Sequence, residues 1–218
     1  MKSTAEGALI ALEGYPFIAI AAAFTLLSML LGWAVAALVG LALTIWVVWF
    51  FRNPSRIVPE GDDLVVAPAD GRVLSVDTAP LPNGTVGRRV CIFMNVFNVH
   101  VNRFPVTGRV TGVEYIPGRF INASFDKASE YNERNSLTME TPHGHPVRFV
   151  QIAGLVARRI VCWADVGTEG AAGDIFGLIR FGSRVDVHVP AETEIYVQPG
   201  QRVTAGETIL GQLPPRAG

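Results

Sequence analysis

The sequence predicts a mainly β protein of the α+β kind: a sandwich or barrel-sandwich-like β domain with few short helices, preceded by an N-terminal membrane helical hairpin. Three observations carry that expectation. An uncharged run of 35 residues, Phe17 to Phe51, lies near the start of the chain. Beyond it come short runs rich in β-branched residues, separated by Gly, Pro and Asn. Two segments, "PADGRVLSV" and "QPGQRVTAGETILGQL", share a turn-then-strand rhythm.

As one straight helix the uncharged run would extend about 52 Å at about 1.5 Å per residue, whereas a hydrocarbon core is about 30 Å thick. It is too long for one ordinary span and short for two. A tight helical hairpin bending near Gly32-Trp33 fits best, with a single long tilted helix as the alternative. The run is longer than the apolar region of a signal peptide and has no small-residue cleavage site before polar sequence. Trp46 and Trp49, followed by Arg52 and Arg56, read as an interfacial belt and a cytoplasmic flank. With a hairpin, both termini face the cytoplasm.

Prolines 54 and 59 mark a linker, which divides the chain into a membrane-anchoring leader and linker, 1–58, and a domain, 59–218. Strands are expected in "RRVCIFMNV", "HPVRFVQIAG", "ARRIVCWADV" and "EIYVQPGQRV", and a short helix around "FDKASEYNERN". The turn-then-strand rhythm is that of lipoyl- or biotinyl-type domains. A swinging-arm carrier needs a lysine at the hairpin tip, and the chain has only Lys2 and Lys127. The rhythm therefore speaks for architecture alone. A net charge of −1 without a Lys/Arg-rich run excludes a nucleic-acid footprint. Cys91 and Cys162, far apart and in apolar surroundings, read as packed thiols, not as a disulfide or a zinc site.

One stretch breaks the pattern of an ordinary strand. In "RFGSRVDVHVP", Val185, Val187 and Val189 alternate with Asp186, His188 and Pro190, the period of a half-buried strand, and Gly182-Ser183 stands at its mouth. Taken singly, Gly-Ser is a turn, Asp70 in "PADGR" bonds its own backbone, and His100 in "FNVHVNRFPVTG" is a satisfied strand residue. His143 and His145 in "TPHGHPV" read as a polar hairpin loop, and "YNERN" as a solvated helix face.

Taken together and in this order, "FFRNPSR", "PADGRV", "NVHVNRFPVTG", "FDKASEYNERN", "VQIAG" and "GLIRFGSRVDVHVP" resemble the short bacterial type of phosphatidylserine decarboxylase proenzyme. The resemblance implies that the chain cuts itself between Gly182 and Ser183. Ser183 Oγ would attack the Gly182 carbonyl, exchanging amide for ester. β-Elimination would then break the chain and leave a dehydroalanine that becomes a pyruvoyl group with loss of ammonia. That covalent pyruvoyl group, with no metal and no pyridoxal phosphate, would form a Schiff base with the amine of phosphatidylserine and accept the electrons freed with carbon dioxide. The product would be phosphatidylethanolamine. Large and small chains of one precursor would stay associated, with further oligomerisation open, and the domain would lie on the cytoplasmic face of the bacterial inner membrane.

By the same resemblance Ser183, His100 and Asp70 form the catalytic set: the carboxylate orients the imidazole, and the imidazole takes the serine proton. The sequence departs from the longer members, which carry His-x-x-His-x-Pro; this chain has His100 and then Arg103 before Pro105. One histidine serves both proton steps, or His143, His145 or His188 supplies the second. Two rival classes stand beside this reading: a membrane-anchored serine hydrolase, which lacks its G-x-S-x-G elbow here, and a non-catalytic sandwich adaptor, which predicts an intact chain.

Overall fold

The computed structural model describes residues 8–61, 63–81, 84–118, 131–154, 159–180 and 183–215. The chain divides into two compact units, 1–55 and 56–218.

The first unit is a helical hairpin. Helix α1, Tyr15–Leu30, and helix α2, Ala34–Phe50, are joined by a turn in which Gly32 has φ 71°, a backbone state that glycine adopts without strain. Small residues form the seam between them. Ala21, Thr25 and Ser28 of α1 are buried, as are Ala37 and Gly40 of α2. Thr25 Oγ1 lies 3.2 Å from Thr44 Oγ1, and a Cβ on Gly40 would stand 2.7 Å from Thr25 Oγ1. This is the close, lightly polar packing that holds helices together where no hydrophobic effect drives them. The outer faces expose Leu26, Leu30, Leu38 and Ile45. The stretch Leu12–Leu30 is apolar and long enough to cross a membrane, by length and composition.

Residues of "FFRNPSR" close the base of the hairpin. The Ala11 amide donates to Phe51 O at 2.8 Å, the Asn53 amide to Leu9 O at 2.7 Å, and Asn53 Nδ2 to Ala8 O at 3.0 Å. Arg52 lies over the Trp49 ring, 4.1 Å from its centroid.

The second unit is mainly β in its described residues. In chain order its strands are β1 Leu64–Val66, β2 Gly71–Pro80, β3 Val86–Met94, β4 Val101–Arg103, β5 Gly108–Ile116, β6 Arg134–Glu140 and β7 Pro146–Ala153. They continue as β8 Ile160–Cys162, β9 Glu169–Gly170, β10 Ile175–Ile179, β11 Ser183–Pro190, β12 Glu194–Ile195, β13 Arg202–Val203 and β14 Ile209–Gln212. An antiparallel sheet in the order β13-β2-β3-β11-β7-β6-β5-β9 is accompanied by two small sheets, β4-β10-β8 and β1-β14-β12. One apolar core runs through all three, with Val90, Ile92, Leu137, Val185 and Val187 of the large sheet meeting Phe176, Ile179 and Leu210 of the small ones. Phe104 stacks on Phe176, and both meet Phe149 edge-on, at centroid distances of 4.9 to 6.0 Å. The sandwich expectation thus describes the molecule.

The two rhythmic segments lie side by side. Arg202 pairs with Arg72 and Val203 with Gly71, while the Ala67 amide donates to Thr208 O and the Gly206 amide to Ala67 O, both at 2.8 Å. A Cβ on Gly71 would stand 2.2 Å from Phe93 O, so "ADG" requires its glycine for the close approach of β2 to β3.

One expectation is corrected, and another falls largely outside the described residues. Most of the short helix expected around "FDKASEYNERN" lies outside the described residues; the end of that stretch, Arg134 and Asn135, begins strand β6. The correction is that β11 is not half-buried. It is the central strand, paired with β3 from Ser183 to Pro190 and with β7 from Ser183 to His188, and Arg184 and Asp186 on its polar face are as buried as its valines. Alternation reported which residues share a face; it did not report that the polar face is covered.

Candidate active site

Ser183 begins β11 and is fully buried, opposite Met94 of β3 and Ala153 of β7. Its side chain shares the core face with Val185 and Val187, and its hydroxyl donates weakly to Met94 Sδ at 3.8 Å. The same sulfur accepts from Asn102 Nδ2, also at 3.8 Å. Behind Asn102 runs a chain of carboxamides. Gln151 Nε2 donates to Asn102 Oδ1 at 2.9 Å, and Asn135 Nδ2 donates to Gln151 Oε1 at 3.2 Å. All three amides are buried, each at a place where β4, β7 or β6 turns a polar residue into the core. Gly182, the other half of the expected cleavage pair, lies outside the described residues.

His100 is buried in the segment between β3 and β4. Its carbonyl accepts the amide of Ile179 at 3.2 Å, which fastens it to the end of β10. Its Nδ1 lies 3.0 Å from Asn98 O. A carbonyl oxygen only accepts, so Nδ1 carries the proton, and in the neutral ring Nε2 is the nitrogen that can serve as a base.

Asp70 is placed differently from the expected relay. Arg56 Nη2 donates to both of its carboxylate oxygens at 2.9 Å, and the Ala205 amide donates to Oδ1 at 2.8 Å. Among the described residues no hydrogen bond joins Asp70 to His100. The Asn98 carbonyl is one of the groups that hold the imidazole. Arg103, three residues after His100, donates its amide to Pro68 O at 2.9 Å and Nη1 to Gly173 O at 2.8 Å. Burial, and next the Arg56 charge, draw its pKa down from the usual arginine value, yet a guanidinium remains a cation and offers no base.

The other three histidines stand apart from Ser183. His143 and His145 lie in the turn between β6 and β7, where His143 Nδ1 is 2.7 Å from Asp63 Oδ1. Ser183 pairs with Ala153 at the opposite end of β7, about 24 Å along a strand that rises about 3.4 Å per residue. His188 is on β11 itself but on the face opposite Ser183, where burial pushes its imidazole down to about 4. On that same face Arg184 grips Asp186 through Nε and Nη2, at 2.5 and 2.7 Å, and Nη2 reaches Cys91 Sγ at 3.0 Å. Burial pushes the Cys91 thiol up to about 12 and raises that of Cys162, so both are packed and protonated, not nucleophiles.

Sequence reasoning missed Asn102, Gln151, Asn135 and Met94. The signal was present for two of them: Asn135 and Gln151 occupy apolar-parity positions of β6 and β7, beside Leu137 and Phe149. A groove of about 860 Å³ along Thr107, Arg109, Glu140 and Asp174 contains none of these residues.

A family model for phosphatidylserine decarboxylase matches residues 43–211, about three quarters of the chain, and spans every residue of this site. The chain belongs to the phosphatidylserine decarboxylase family. It is accordingly a decarboxylase of phospholipid biosynthesis, with phosphatidylserine as its substrate. The matched region begins inside α2 and ends inside β14, so the family's sequence pattern covers the last turns of the hairpin and the whole of the large sheet.

Proposed function

We propose that this phosphatidylserine decarboxylase family member makes its own pyruvoyl group from Ser183, by cutting the chain between Gly182 and Ser183, and converts phosphatidylserine to phosphatidylethanolamine with it. The observation that carries the reading is the place of Ser183: fully buried at the head of β11, with a buried histidine fastened to the end of β10, the strand that leads to it.

A single histidine suffices for the proton traffic. His100 Nε2 takes the Ser183 hydroxyl proton as Oγ attacks the Gly182 carbonyl carbon, and returns it to the Ser183 nitrogen as the C–N bond breaks. It then takes the Ser183 α-proton as the Gly182 carboxylate leaves, and water replaces ammonia at the resulting centre. Asp70 acts at one remove: with Arg56 and the Ala205 amide it fixes the turn whose Pro68 carbonyl holds β4, next to His100.

The site suits the group. A pyruvoyl is uncharged and no larger than the serine it replaces, and Met94 and Ala153 give it a dry surround. Its carbonyl supplies a sink for the electron pair released with carbon dioxide. Arg184 and Asp186 hold the strand behind it, and ladders to β3 and β7 keep residues 183–218 in place after the cut. In this reading residues 1–58 keep the enzyme at the cytoplasmic face of the membrane, where the lipid head group lies, and 59–218 carry the chemistry.

Ser183→Ala tests the proposal. On a denaturing gel the wild type should run as two chains, while the variant stays full length and inactive. A wild type that remains uncut, or a cut Ser183→Ala, would contradict it.

A further inference from the structure

Asn102 and Ser183 direct their donors at one sulfur, Met94 Sδ, a poor acceptor for either. Its Oδ1 is occupied by Gln151 Nε2, whose own Oε1 is occupied by Asn135 Nδ2. Each link sets the orientation of the next, so the Asn102 NH₂ is turned toward Met94 and cannot exchange with its oxygen without breaking the chain. Among the described residues its acceptor is the thioether sulfur alone, at 3.8 Å, and Ser183 Oγ donates to the same sulfur at the same distance. A thioether is a weak acceptor, and Asn102 is completely buried, so water does not make good the deficit.

A buried donor that is poorly satisfied in the resting chain is strengthened by any anion that forms next to it. Such an interaction is stronger in the transition state than in the ground state, which is the condition for accelerating a reaction. Attack of Ser183 Oγ on the Gly182 carbonyl puts two oxygens on one tetrahedral carbon: the former Oγ, and the former carbonyl oxygen bearing the negative charge. We propose that Asn102 Nδ2, aimed by Gln151 and Asn135, donates to that oxyanion and is a catalytic residue of self-cleavage. This rests on the self-cleavage reading above. In the step, the Oγ–C bond forms, the C=O π pair moves onto oxygen, His100 holds the proton, and collapse expels the Ser183 nitrogen with that proton. Asn102 changes no bonds; it exchanges a thioether for an oxyanion as acceptor.

The test is the rate of cleavage of freshly translated full-length protein, followed on denaturing gels across pH 5 to 8, for wild type, Asn102→Leu and Asn102→Asp. Asn102→Leu should cleave about 10²- to 10³-fold more slowly, the usual effect of removing one such donor. Asn102→Asp keeps the shape but donates only when its carboxyl is protonated. Its cleavage should therefore accelerate as pH falls, opposite in sense to the wild type, whose histidine base favours higher pH. A purely structural role for Asn102 would slow both variants without inverting the profile. That result, or wild-type rates in Asn102→Leu, would overturn the assignment, and if Asn102→Leu does not fold, the Asn102→Asp profile decides. An uncut wild type would instead strike down the self-cleavage reading itself, and this inference with it.

Discussion

Arg56 Nη2 stands 2.9 Å from both carboxylate oxygens of Asp70, with the two side chains only 10% and 14% exposed. That pair joins the start of the β unit to the turn before β2. It makes Asp70 a holder of backbone, where a triad would make it a holder of imidazole. Replacing it with Asn should lower stability by about 2 kcal/mol, the scale of a hydrogen bond to a charged group that is largely removed from water. Arg56→Met should reproduce both that loss and a partial slowing of cleavage. Urea denaturation and gel-based cleavage rates check this. Abolished cleavage in Asp70→Asn beside normal cleavage in Arg56→Met would restore the direct relay to His100.

His100 should be the histidine that matters. Its replacement by Ala should slow cleavage by about 10²- to 10⁴-fold, the range for loss of a general base. His143→Ala and His145→Ala, at the far end of β7, should cleave at the wild-type rate. Cleavage half-times for the three variants decide between one histidine and two.

His188 should control acid stability instead. Unfolded, its imidazole titrates near about 6.5; folded, burial holds it at about 4. Above pH 6.5 neither state binds the proton and the stability is complete. As pH falls from 6.5 toward 4 only the unfolded state binds it, and stability drops by up to about 3 kcal/mol. His188→Leu should flatten that part of the profile in urea melts. It should cost little at pH 7, because the buried Nδ1 has no hydrogen-bond partner among the described residues. An unchanged acid slope would show that another group carries it.

Much of this was legible in the residues. The uncharged run and Gly32 mark the hairpin, and Val185, Val187 and Val189 mark the core face of β11. The ordered motifs pointed to the family that the matched region confirms. What escaped is what depends on three strands meeting. Asn102, Gln151 and Asn135 are 16 to 49 residues apart in the chain and become one hydrogen-bonded row only when β4, β7 and β6 pack together. Arg56 looked like part of a cytoplasmic flank because nothing local signals a partner 14 residues on. Burial of Arg184 and Asp186 was hidden for a related reason: they neutralise each other on the strand, so a polar period is no guide to exposure.

The hairpin should serve the encounter with lipid, not the cut. Deleting residues 1–52 should leave folding and self-cleavage intact. Turnover of phosphatidylserine in vesicles should fall by about tenfold or more, the loss of ~1.4 kcal/mol of effective binding, while turnover of a short-chain soluble analogue changes little. Equal losses on both substrates would mean that the hairpin shapes the active site.

The most direct measurement is the intact mass of the purified wild-type protein under denaturing conditions. Two chains are expected, one ending at Gly182 and one of 36 residues beginning at position 183. The small chain should resist N-terminal sequencing and react with a hydrazine reagent, as a terminal pyruvoyl carbonyl does. One unmodified chain of 218 residues after prolonged incubation would contradict the account.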